Sequence, residues 1–175
     1  ELAQRYGRLG LRLAQLARGE DNRRVDPDGP ARSISAETTF ARDESDAEAL
    51  ARTLWPLCEE VSGRLKTAGL AAGTVTLKLK TGDFRIRTRA RKLADPSQLA
   101  DTLFRTARNL LAAEADGTTL FRLIGVGADG LVSAETADLP TLFDREDGRP
   151  RRLERALDDI KTRLGDSAVK MGRAV

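Results

Sequence analysis

The sequence predicts an α+β domain: a four-stranded, antiparallel-type sheet with two helices on one face, followed by a further C-terminal helix. Three observations predict it. Short runs alternate apolar and polar residues, and side chains on a strand point to opposite faces with period two. Two longer runs repeat at helical spacing, each opened by residues suited to capping. Their order along the chain is strand, helix, strand, strand, helix, strand, which is the split βαβ arrangement.

A chain of 175 residues that is 40% hydrophobic and 33% charged can bury one ordinary core plus short appendages. No run approaches the roughly eighteen apolar residues of a membrane span, so no membrane partner is expected. Residues 1–20 are interrupted by charge throughout, unlike a signal peptide, and the first residue is Glu, as in a piece cut from something longer. One cysteine excludes an internal disulfide, and the lack of histidine leaves no Cys/His zinc set. Ser/His/Asp and Cys/His catalysis are excluded by the same count. No carboxylates or lysines stand at catalytic spacing, so the residues supply no catalytic or metal assignment.

Residues 1–18 suit a short helix, with Leu2, Leu9, Leu13 and Leu16 partly on one side and Gly7 and Gly10 weakening it. Residues 19–32, GEDNRRVDPDGPAR, have linker chemistry. A strand is expected over 33–41, where Ile34, Ala36, Thr38 and Phe40 alternate with Ser33, Ser35, Glu37 and Thr39. Glu37 reads as an exposed strand carboxylate. Ser45 and Glu48 then stand at capping-box spacing. Ala47, Leu50, Ala51, Leu54, Leu57, Cys58, Val61 and Leu65 follow helical period to a stop at Gly69, with a kink expected at Pro56. Trp55 and Cys58 are expected to serve packing.

Residues 74–92, TVTLKLKTGDFRIRTRARK, read as a hairpin turning at Thr81-Gly82-Asp83. Val75, Leu77 and Leu79 alternate with Thr74, Thr76, Lys78 and Lys80; Phe84 and Ile86 alternate with Arg85, Arg87, Arg89 and Arg91. The expectation is an apolar face beneath the helices and a row of cations on the open face. The seven basic residues, Lys92 included, stand against Asp83 alone, and a polyanion would relieve their repulsion. The plainer reading is an edge strand guarded by charge against aggregation. The net charge of +3 hides a segregation: residues 43–60, ahead of this basic hairpin, hold Asp43, Glu44, Asp46, Glu48, Glu59 and Glu60 against only Arg52.

The second helix is expected to open at Asp95 as N-cap, with Pro96 at its first position and Gln98 beyond. Leu99, Leu103, Ala107, Leu110 and Leu111 form its stripe, and Gly117 ends it. Residues 119–126, TLFRLIGV, suit a central strand, with the direction of Arg122 left open. After residue 133 the composition loosens around Leu139, Leu142 and Phe143. Helical period returns over 151–164 through Leu153, Ala156, Leu157, Ile160 and Leu164, with Gly165 as stop. This basic helix has three readings: packed on the domain, extending a binding surface, or touching another domain.

Taken in order, RSISAETTF, the acidic helix, TVTLKLKTGDFRIRTR and FRLIGV resemble the C-terminal region of Y-family translesion DNA polymerases, of the bacterial DinB type. The resemblance implies the end of a thumb at 1–18, a linker at 19–32 and the DNA-binding little finger at 33–133. A loop at 134–150 and a C-terminal helix and tail at 151–175 follow. It implies duplex primer–template DNA as partner, gripped at its phosphates by Arg32, Ser33, Ser35, Lys78, Lys80, Arg85, Arg87, Arg89 and Arg122. It further implies a parent nucleotidyltransferase of translesion synthesis and DNA repair, monomeric and cytoplasmic. Its magnesium would be held by palm carboxylates N-terminal to this sequence, so the chain alone is expected to be inactive and without a cofactor.

The segment LPTLF at 139–143 is similar to bacterial peptides that bind the sliding clamp. Leu142 and Phe143 supply the terminal pair, Leu139 stands where glutamine would be, and Pro140 departs from the pattern. The plainer reading is a loop tucking its apolar residues onto its own domain. The rival to the polymerase reading is a free-standing ferredoxin-like module that binds RNA or protein. An open face without aromatics argues against recognition of stacked RNA bases.

Overall fold

A glycine divides the first helix, α1 (Leu2–Ala17), in two: Gly7 adopts φ 55 and ψ −132, outside the helical region. The structure is a computed structural model that describes residues 2–24, 29, 31–138, 148–165, 168 and 169, so LPTLF lies outside the described residues. The chain forms two compact units, 1–30 and 31–175. In the first, hydrogen bonds from Arg23 and Arg12 hold the Asp21 carboxyl well below the usual range.

The second unit runs β1 (Ser33–Glu44), α2 (Ala47–Ala68), β2 (Leu70–Thr81), β3 (Ile86–Ser97), α3 (Ala100–Ala112), β4 (Phe121–Asp129), β5 (Val132–Ser133) and α4 (Gly148–Leu164). The main sheet has the order β1-β4-β2-β3, antiparallel throughout, and β5 pairs only with the start of β2. Helices α2 and α3 each connect strands separated by one other strand, which is the expected split arrangement. Both pack on one side of the sheet. Leu50, Leu54, Val61 and Leu65 of α2 and Leu103, Ala107 and Leu111 of α3 cover Val75, Leu77, Leu79, Phe121, Ile124 and Val126. Each large side chain so buried contributes about 1.5–3 kcal/mol.

Trp55 and Cys58 belong to this core. The Trp55 ring meets Phe104 edge-on at 5.2 Å, and burial, helped by Glu59, pushes the Cys58 thiol up. The thiol is therefore held as a packing group.

Three helix termini differ from expectation. The N-cap of α2 is Asp46, whose carboxylate accepts the Ala49 N–H at 2.7 Å; the expected cap, Ser45, instead donates its own N–H to Glu44. The helix continues through Pro56 and closes on Gly69 at φ 65. Helix α3 does not open at Asp95, because β3 runs on through Asp95 and Pro96 to Ser97. Pro is tolerated there since β3 is an edge strand. Leu99, at the α3 N-cap, has no capping group. The missing acceptor comes from far along the chain: Ala100 donates its N–H to Glu154 of α4 at 2.9 Å. Finally, α3 ends at Ala112, before Gly117. Asp116 closes that loop by accepting the N–H groups and hydroxyls of Thr119 and Thr118, which hold its carboxyl below the usual range.

Helix α4 packs back on the domain through charge. Lys66 of α2 reaches Glu154 at 2.7 Å and Asp158 at 2.6 Å, and Lys161 reaches Glu59 at 2.7 Å. The apolar residues Leu153, Ile160 and Leu164, which carry the helical period, are exposed. Burial opposes the charge on Lys66, but hydrogen bonds to Asp158 and Glu154 outweigh it, so its pKa is raised. A raised amine stabilises fully below its ordinary value of 10.5 and loses that contribution as pH rises through the folded value. The stability difference between the native chain and Lys66→Met, read from urea midpoints, is therefore expected to be constant across neutral pH. It should close only in the alkaline range; a gap that closes near neutrality contradicts this account.

Candidate nucleic-acid interface

The geometry of the hairpin is set by its turn. Thr81 donates its N–H to the Arg85 carbonyl at 2.9 Å, and Phe84 donates to the Thr81 carbonyl at 2.9 Å. Gly82, Asp83 and Phe84 are left as a three-residue loop, with Phe84 in the left-handed region at φ 66. The register that follows sets Lys80 opposite Ile86, Leu79 opposite Arg87, Lys78 opposite Thr88, Leu77 opposite Arg89 and Val75 opposite Arg91. Residues directly opposed share a face.

Arg87, Arg89 and Arg91 therefore lie on the helix side, and the expected single row of cations on the open face does not exist. The expectation needed odd positions of β2 to share a face with even positions of β3. A three-residue loop pairs odd with odd, and a shift of one residue moves every side chain to the other face. Arg87 and Arg89 both reach Glu114, just beyond α3, at 3.3 and 2.7 Å. They remain accessible because β3 is the sheet's edge.

The open face has four rows across β1, β4, β2 and β3. They are Ser33–Asp129–Thr74–Lys92, Ser35–Gly127–Thr76–Ala90, Glu37–Gly125–Lys78–Thr88 and Thr39–Leu123–Lys80–Ile86. Hydroxyls and glycines dominate. A Cβ at Gly125 would stand 2.7 Å from the Glu37 Cβ, so side-chain bulk is excluded there. The floor sinks into a depression of about 220 Å³ lined by Ser33, Ser35, Glu37, Thr76, Lys78 and Thr88, among others. Across it, Lys78 pairs with Glu37 at 2.7 Å, and Thr76 donates to Asp129 at 2.6 Å. Glu37 is an exposed strand carboxylate as expected, with Lys78 as its partner.

The positive charge concentrates at the hairpin end. A register shift between Lys80 and Thr81 places Arg122 in a bulge of β4. This decides its direction: its guanidinium lies 5.1 Å from the centre of the Phe84 ring, with Lys80 Nζ 4.8 Å from the same ring. Asp43 stands 3.9 Å from Arg122, at the loose limit of an ion pair. Arg85 in the turn pairs with Asp83 at 2.9 Å, and a hydrogen bond from the Thr81 hydroxyl holds Asp83 below the usual carboxylate range. Among the described residues, Lys80, Arg91 and Lys92 make no ion pair.

Of the residues singled out from sequence, Ser33, Ser35, Lys78 and Lys80 share the open face, and Arg122 borders it. Arg85 sits at the tip, exposed Arg32 precedes β1, and Arg87 and Arg89 are set apart on the other side. Leu139, Leu142 and Phe143 lie outside the described residues. One site member was missed, and one exposed ring at the margin of the site. Lys92 joins the open face only once the turn length is known. Phe84 is 60% exposed at the corner of a surface expected to lack aromatics. The described residues hold no cluster of three or more carboxylate or thiol groups that could hold a metal ion. No described helix is long and apolar enough to cross a membrane.

Residues 31–140 match the C-terminal domain of the impB/mucB/samB family. DNA polymerase IV 1 of Mesorhizobium japonicum is 48% identical over 172 residues, which is 98% of this chain and 39% of that protein. DNA polymerase IV of Caulobacter vibrioides is 47% identical over 174 residues, 99% of this chain and 43% of that protein. The chain thus spans about two fifths of the length of these curated relatives. Among solved structures, a Y-family DNA polymerase chimera covers 75% of this chain with 38% of its own, at a TM-score of 0.58 and 19% identity. The insertion ternary complex of Dbh DNA polymerase gives 0.53 at 18% identity, over the same 75% of this chain and 38% of its own. These structures share the fold, and the free-standing ferredoxin-like module gains no support. With the match over residues 31–140 and these polymerase IV relatives, the chain belongs to the impB/mucB/samB family and carries its C-terminal domain.

Proposed function

We propose that this chain is the DNA-gripping part of a bacterial, cytoplasmic DNA polymerase IV, and that it holds duplex primer–template through its phosphates during translesion synthesis. The observation that carries this reading is the open sheet face. Its floor is cleared at Gly125 and Gly127, hydroxyls of Ser33, Ser35, Thr76 and Thr88 line it, and cations stand along its hairpin side. A phosphodiester backbone can approach such a floor closely, accept hydrogen bonds from the hydroxyls and be neutralised by Lys80, Lys92 and Arg122. Arg32 extends the surface at the start of β1. Arg85, Arg87, Arg89 and Arg91 supply charge around the free edge of β3, where a second phosphate strand would pass. Contacts of this kind position a duplex without reading its sequence, which suits an enzyme that accepts any template.

Polymerisation itself belongs, on this reading, to the catalytic part of the relatives, with its magnesium. The chain acts as a monomer that holds DNA, and the LPTLF segment is the place where the sliding clamp would bind.

Titration of labelled duplex at several salt concentrations tests the reading. Binding is expected to tolerate any sequence and to fall steeply with salt, with dissociation constants of about 10⁻⁴ to 10⁻⁶ M. Lys80→Ala should weaken binding to all sequences alike and lower the log–log salt slope by about one. Arg89→Ala, whose charge is shared with Glu114, should cost less than Lys80→Ala; the reverse ranking would mean that the helix side of β3 is the main DNA surface. Glu37→Gln frees Lys78 and should raise duplex affinity by up to about five-fold, the range of a surface ion pair. Unchanged affinity in that variant would remove Lys78 from the interface.

A further inference from the structure

We infer that the Phe84 corner is a stacking site for an unpaired nucleobase of a single-stranded segment adjoining the duplex, an inference that rests on the duplex-binding reading above. Phe84 is 60% exposed, and its neighbours Ile86 and Leu120 are 62% and 52% exposed. Leu120 is held there because its carbonyl accepts the Gly82 N–H at 2.9 Å.

The backbone adds a second observation. Phe84 occupies the left-handed position of the turn at φ 66, where glycine or asparagine fits without strain and a bulky residue is an outlier. Strain of this kind gathers where a side chain must be presented in a fixed direction. Here it holds an aromatic ring beyond the end of both strands.

The third observation is the charge around the ring. Lys80 Nζ and the Arg122 guanidinium lie 4.8 and 5.1 Å from its centre. An exposed aromatic ring with cations over it matches the chemistry of a single strand, whose bases offer flat π-faces and whose phosphates alternate with them. A protein partner with an apolar surface would gain nothing from two cations placed over the ring. Duplex DNA has its bases already stacked, so the site selects strands whose bases are free. Recognition by stacking ignores base identity, in keeping with the phosphate contacts on the sheet.

The test compares two labelled substrates by fluorescence anisotropy: a blunt duplex, and the same duplex with a single-stranded extension. Phe84→Asn removes the ring while relieving the backbone, so the variant folds; Phe84→Tyr keeps a ring. The native chain and Phe84→Tyr are expected to bind the extended substrate more tightly than the blunt one. Phe84→Asn should lose at least about five-fold on the extended substrate and nothing on the blunt duplex. Equal binding of both substrates by the native chain, or an equal loss on both in Phe84→Asn, overturns the stacking site while leaving the duplex grip intact. A corner used for a protein surface gives that same equal binding. Failure of the native chain to bind even the blunt duplex overturns the grip, and the stacking site with it.

Discussion

The number of residues in one turn governs the surface chemistry of this domain. Closing β2 onto β3 through Gly82, Asp83 and Phe84 sets Leu79 across from Arg87 and Lys80 across from Ile86. Everything that distinguishes the two faces follows from that pairing. With a loop one residue longer or shorter, the arginines of β3 would join the lysines of β2 in a single cationic sheet. The hydroxyl rows and the glycine floor would then lie beside a strongly positive wall. The chain instead spreads its charge around an edge and keeps the open face mild.

Carboxylates moderate that charge further. Glu37 faces Lys78, Asp83 faces Arg85, Glu114 gathers Arg87 and Arg89, and Asp43 stands near Arg122. The Glu37 and Asp83 pairs are exposed on both sides and of small energy, so a phosphate can displace those carboxylates at little cost, whereas Glu114 is largely buried. On the proposed reading, a surface arranged in this way would bind a polyanion loosely and release it readily.

Much of the architecture was legible from the residues. The alternation in β1 and β2, the long stripe of α2 and the Gly69 stop all declared themselves, because burial on one face leaves a period that can be read. Termini supported from a distance could not be read. Helix α3 starts where Glu154 of α4 accepts the Ala100 N–H, a contact between residues more than fifty positions apart. The local sequence instead offered Asp95 and Pro96, which are equally at home in an edge strand. In the candidate site, which residues lie on strands was legible and the side each faces was not. Arg87, Arg89 and Phe84 were assigned faces from alternation alone, and alternation is silent about the parity that a turn imposes. The packing of α4 through Lys66 and Lys161 was hidden for a related reason: an apolar stripe suggests burial but does not name what covers it, and here charge does the docking.

The edge position of β3 has a further consequence. A strand at the rim of a sheet exposes free N–H and C=O groups that another copy could extend into a continuous ribbon. On β3 those groups are flanked by Arg87, Arg89 and Arg91 below and Lys92 above, and at the opposite rim Arg64 occupies the Ser35 carbonyl of β1 at 2.8 Å. Two copies brought together along β3 would confront like charges on both sides of the seam. The same cations thereby keep neighbouring copies from zipping together.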